Sequence, residues 1–320
     1  VYLYFPVVAF AYFTDLQVLF SVWFFYILTW LQIGSTIRLG IAEGLGAYAG
    51  TREQALGGFI VFCLWALWTA RTHLASVFKN MISKRPLFHD HHEPLPYRTS
   101  GWLFLACCIY MTFWLARGGL AFPLSILVIA FWFLFYLGFA KIVAMTGLVF
   151  VESPGLGQNM LDLAPPGALA GGDLAMRHLV DSTYQNGKCF AISDASHSAR
   201  LLEPLGNRAR QAGYAILITL IAALIVSALS TIFIGHQSGA SNFGSSGSFE
   251  NGPRYFNRMV SSIRNMGQTP HYTLKLTYVF WGALVMVGLT LCHYRFPWWP
   301  FHPIGFTVVT FNSVQRSILS

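Results

Sequence analysis

The densest group of side chains able to do chemistry is His89-Asp90-His91-His92-Glu93, framed by Pro86 on one side and by Pro94 and Pro96 on the other. Imidazoles and carboxylates are the ligand types that zinc, copper and non-haem iron accept, so His89, His91, His92 and Glu93 are the candidate metal set. Neighbours in a linear run rarely converge on one ion, and the helical spacing of H-E-x-x-H is missing, so a polar loop accounts for the same residues. A second candidate is Asp15, a carboxylate between two apolar runs. It fits the N-cap of the helix that follows, or the midpoint of an interrupted membrane helix that binds a substrate or an ion. Asp194, Ser196 and His197 have the residue types of a hydrolase triad, but adjacent positions cannot form its chain of hydrogen bonds. With no G-x-S-x-G elbow, Walker loop or dinucleotide G-x-G-x-x-G after a strand, no catalytic residue is assigned, no enzyme is expected and no cofactor is implied.

The elements that must position these residues are membrane helices. Of the 320 residues, 55% are hydrophobic and only 10% charged, against roughly 25% charged in soluble domains. Six stretches are long and apolar enough to cross a bilayer: Leu16–Gly34, Leu56–Phe78, Gly101–Leu115, Leu120–Gly147, Gln211–Ile234 and Thr273–Tyr294. The expected fold is therefore an all-α polytopic membrane protein. Val1–Phe13 is too short to span and is expected to be the end of a truncated first helix. Ile304–Ile318 is expected to return to the membrane as a re-entrant or seventh span. Three regions follow: residues 1–147 with the His-rich loop 79–100, a Gly- and Pro-rich region with short helices over 148–210, and a C-terminal region 211–320 with a flexible loop at 236–272.

The net charge of +8 would suggest nucleic acid in a soluble domain, but here the basic residues sit beside spans. That pattern orients a membrane protein and makes the bilayer, with other membrane chains or further copies of this one, the expected partner. Lys79, Lys84, Arg85, Arg98, Arg208, Arg210 and Arg295 outnumber Arg38, Arg52, Arg117 and Lys275 on the opposite side. The His89–Glu93 loop and Leu148–Arg210 are thus expected to face the cytoplasm, and Gly239–Gly252 to face outward. The five cysteines form no framework: Cys63, Cys107, Cys108 and Cys292 lie in apolar spans and Cys189 stands alone in a loop.

Between spans, Gly40–Gly50 carries overlapping small-x-x-x-small spacings, read as a flexible loop in which Glu43 and Glu53 are solvated, or as a close-packing surface. Ala116–Gly119 is short enough to force its two flanking helices into an antiparallel hairpin. Asp173–Ser182 and Ala195–Leu202 have the composition of short amphipathic helices. Pro253–Gln268 carries Arg254, Arg258 and Arg264, whose spacing suits lipid headgroups or another anion.

Phe296-Pro-Trp-Trp-Pro-Phe-His-Pro303 is the most distinctive string. Its tandem Trp298 and Trp299 are expected to anchor the chain at headgroup depth, and His293 and His302, which flank it, could serve a gate or a proton-linked step. Ser21–Tyr26 (Ser-Val-Trp-Phe-Phe-Tyr) and Phe296–Phe306 resemble landmarks of a family of large bacterial integral membrane proteins of unknown function, some named peptide-transporter-like. The resemblance covers the central and C-terminal parts and implies the second half of a longer protein in a bacterial inner membrane; it implies no functional residues. The leading expectation is a secondary transporter for a small polar solute, and the alternative is a non-catalytic subunit of a membrane complex.

Overall fold

The structure, a computed structural model, describes residues 12, 14–40, 50–83, 96–146, 163–165, 167–184, 198, 209–239, 251–265 and 272–309. Among these the chain is helical, without strands: α1 Leu16–Arg38, α2 Thr51–Ile82, α3 Tyr97–Arg117, α4 Phe122–Thr146, α5 Gly171–Tyr184, α6 Ala209–Ser238, α7 Asn251–Arg264, α8 Tyr272–Arg295 and α9 Pro303–Val308. Six of them, α1 to α4, α6 and α8, are long and apolar enough to cross a membrane, one for each stretch expected from sequence. The chain is an all-α integral membrane protein. The His89–Glu93 loop, Gly147–Asp162, Asp194–His197 and nearly all of Val1–Phe13 lie outside the described residues.

Local chemistry fixes the helix ends. Asp15 accepts the Gln17 amide to start α1. Glu53 accepts the Gly50 amide at 2.9 Å to start α2, so Glu53 is a helix cap rather than a solvated loop acid. Pro123 falls in the first turn of α4, where its missing N–H costs nothing. α2 runs for 32 residues, about 48 Å at 1.5 Å per residue, and outruns a hydrocarbon core of about 30 Å.

The core lies where α2, α4, α8 and α9 meet, around the fully buried Leu56, Phe59, Phe135, Phe139, Ile142, Met286, Ile304 and Val308. Phe59 touches the rings of Phe135 and Phe139 at 4.7 and 5.3 Å. The most extensive helix contact is α2 on α8. A side chain on Gly57 would strike the Val279 carbonyl, and one on Gly282 the Gln54 carbonyl. Lipid tails give helices no hydrophobic reason to associate, so close backbone approach at small residues supplies the dispersion contacts instead. The small-residue packing thus sits at Gly57 and Gly282 inside the spans.

The segment Ile304–Ile318 begins within α9, which is six residues long and buried against α1 and α2; residues 310–320 lie outside the described set. One sequence expectation changes: α5 cannot lie across the membrane from the loop that contains α7, because the two helices pack together and His178 Nε2 meets Ser262 Oγ at 2.9 Å. Asp173 Oδ1 accepts the Ala121 amide at 2.7 Å and Oδ2 the Ala170 amide at 2.9 Å, which ties α5 to the α3–α4 turn. That turn is at the other end of α3 from the His-rich loop. Ala170 and Asp173 therefore sit at the opposite end of α4 from Thr146, which charge counting over loops does not register.

Candidate functional site: a histidine corner between α1, α8 and α9

Near the start of α1, α8 ends and α9 begins, and the seven-residue link between α8 and α9 folds back onto α1. Phe301 is inserted between α1 rings, 4.6 Å from Phe24 and 5.7 Å from Phe20. The backbone N–H of His302 donates to Ser21 Oγ at 2.6 Å across 281 residues of sequence, and Ser21 itself is completely buried. Gly305 lets α9 reach α1, since a Cβ there would lie 2.5 Å from that of Ser21.

His302 holds the junction with both its backbone and its ring. Its Nδ1 accepts the Ile304 amide at 3.2 Å and caps α9. An acceptor Nδ1 carries no proton, so the neutral ring bears its hydrogen on Nε2. Protonating Nδ1 would turn the acceptor into a donor and remove the cap. The ring is buried and packs edge-on to His293 with centroids 4.8 Å apart. Burial, with His293 second, pushes the His302 pKa down from 6.5 to about 4, while the Asp15 carboxylate pulls it upward. His302 is therefore neutral at pH 7.

Aromatic contacts continue outward from this pair. His293 meets Tyr294 at 5.6 Å and Tyr294 meets Trp65 at 5.8 Å. Trp299 leans on Phe301 at 5.6 Å. The indole N–H groups of Trp65 and Trp299 are buried with no acceptor among the described residues. An indole can only donate, and a buried donor left unmet costs about 1–3 kcal/mol, so both bordering groups favour an arriving acceptor such as water, a carbonyl or a carboxylate.

The sequence candidates separate here. Asp15 is exposed, with its carboxylate bonded to the Gln17 amide at 2.8 Å, which is the geometry of a cap. Trp298 is 72% exposed, whereas Trp299 turns inward, so the tandem pair divides between surface and packing roles. His89, His91, His92 and Glu93 lie outside the described residues. Among the described residues no three His, Cys, Asp or Glu side chains gather as metal ligands. Sequence reasoning singled out His293 and His302 but missed Ser21 and Asp173, whose partners are backbone amides far away in the chain.

The sequence matches a family described as a family of unknown function (DUF6785) over residues 1–319. No curated protein and no solved structure matches it.

Proposed function

We propose that this chain, which belongs to the family of unknown function DUF6785, is a secondary carrier for a small polar solute whose histidine corner responds to protons. The observation that carries the reading is the buried His302 cap at the start of α9, which holds only while Nδ1 is free of a proton and sits beside the His302 N–H to Ser21 bond that joins α9 to α1. In a closed corner the ring has a pKa of about 4, and in an opened, hydrated one the ordinary 6.5. The open form binds the proton more tightly, so acidity favours opening; at about pH 5.5 the open-to-closed ratio rises about eightfold over its value at neutral pH. The unmet indole donors of Trp65 and Trp299 suit a solute with oxygen acceptors. In this reading Asp15 acts on the ion rather than the solute, because its carboxylate favours the His302 proton. No catalytic step is assigned, and the membrane is taken to be a bacterial inner membrane.

Proteoliposomes loaded with a pH-sensitive dye test this proposal. Among amino acids, short peptides and small sugars, one class should drive proton movement with the wild type, faster from an acidic exterior, and His302→Asn should lose that acid stimulation. A protein that moves none of them, or a variant with unchanged acid stimulation, contradicts the reading.

A second reading, a subunit of a larger membrane complex, has its own support in α6. No residue in the apolar part of this span is buried, and it packs extensively on no other described helix. Ala215, Thr219, Ala223, Ser227, Thr231 and Gly235 recur along it at four-residue intervals. Thr219 and Thr231 turn their hydroxyls back onto the helix's own carbonyls, leaving a smooth ridge for another helix. Native purification separates the readings: a carrier comes away alone or as copies of itself, a subunit with a different chain in fixed proportion.

A further inference from the structure

We infer that α7 lies along the membrane surface, with its apolar edge among the acyl chains, Arg264 at headgroup depth and the charges of Arg258 and Arg264 drawn to anionic lipids. Fourteen residues long, α7 holds no acidic residue. At 100° per residue, Phe256, Met259, Val260 and Ile263 fall on one side of the helix, Arg264 lies just beyond one margin and Arg258 lies on the opposite side. α5 covers the flank that holds Ser262, as the contact to His178 shows. Phe256, Val260 and Ile263 are left open, with Phe256 62% exposed.

An open apolar edge has a water-facing alternative only at a cost of about 25 cal/mol for each Å² of apolar surface. Position favours lipid, since Arg264 is eight residues before Tyr272, the first residue of the α8 span. A 14-residue helix is too short to cross, so an amphipathic one beside a span end settles in the interface plane. Positive charge without any acid on the helix selects anionic headgroups over zwitterionic ones. Asp173 fastens α5 to the α3–α4 turn and α5 carries α7, so this contact connects leaflet charge to the helix bundle.

Hydrogen exchange of the full chain in vesicles tests the assignment, using phosphatidylcholine with and without phosphatidylglycerol. The amides of α7 should exchange about tenfold more slowly in the anionic vesicles, with the difference shrinking at high salt. Arg258→Gln with Arg264→Gln should abolish the difference between the two lipids, while α8 keeps its protection. Equal exchange of wild-type α7 in both vesicles overturns the proposal, and that comparison needs no variant. A double variant that keeps the full difference overturns it as well.

Discussion

The two ends of the bundle are fastened by different chemistry. At the α3–α4 turn the fastener is the carboxylate of Asp173, which accepts two backbone amides, one from the residue just before its own helix and one from the residue just before α4. At the histidine corner the acceptors are the Ser21 hydroxyl and the His302 ring. A carboxylate offers several lone pairs to several donors, whereas an imidazole offers one nitrogen that a proton can occupy. The corner is therefore conditional at its ring contact, while its Ser21 bond does not depend on a proton. The distinction between the two ends can be tested residue by residue.

The largest effect is expected at the fixed end. Asp173→Ala leaves the Ala121 and Ala170 amides without their acceptor, and charge-assisted bonds contribute about 1.5–3 kcal/mol each. Thermal unfolding in detergent should show a loss of about 3 kcal/mol or more, and Asp173→Asn, which keeps one oxygen, should recover part of it. Ser21→Ala comes next at about 2 kcal/mol, because the buried His302 amide loses its partner. A silent Ser21→Ala would remove the hydroxyl from the corner's fastening.

His302→Asn should cost little at neutral pH, about 1 kcal/mol, since asparagine also caps helices. Its signature is the pH profile. A histidine whose folded pKa is depressed contributes stability above the ordinary 6.5, and that contribution falls as pH drops from 6.5 toward about 4. The wild type should lose stability through this window and His302→Asn should lose less; parallel profiles would break the comparison between the two ends. Asp15→Asn is the mildest change. Asn keeps the capping oxygen for Gln17, so unfolding should shift by only a few tenths of a kcal/mol. Removing the carboxylate takes away the pull that raises the His302 pKa, so the acid transition should move to lower pH.

The spans were legible because the requirement that sets them is one-dimensional: about 20 apolar residues in a row. The hairpin at Ala116–Gly119 and the short helix α5 were legible for similar reasons, from a tight turn and local composition. What pairs with what was not. Gly57 and Gly282 look like any glycines in apolar helices until the two backbones meet. Asp173 reads as an ordinary first-turn acid, because its second partner, Ala121, is 52 residues away and contributes only an amide. Counting basic residues failed at α5 because it treats 148–210 as one loop on one side, whereas Asp173 is tied to the α3–α4 turn, at the opposite end of α4 from Thr146. The histidine corner was half legible: His293 and His302 were visible as titratable residues around a Pro- and Trp-rich string, while Ser21 carried no sign that it would meet a backbone 281 residues on.

Nitrogen NMR of the His302 ring, in protein labelled at histidine and compared with His302→Asn for assignment, bears most directly on the conditional end. The account predicts a neutral ring protonated at Nε2 at pH 7, with Nδ1 an acceptor, and an imidazolium that appears only as pH falls toward about 4. A ring protonated at Nδ1 in its neutral form, or one that titrates at the ordinary 6.5, would contradict it.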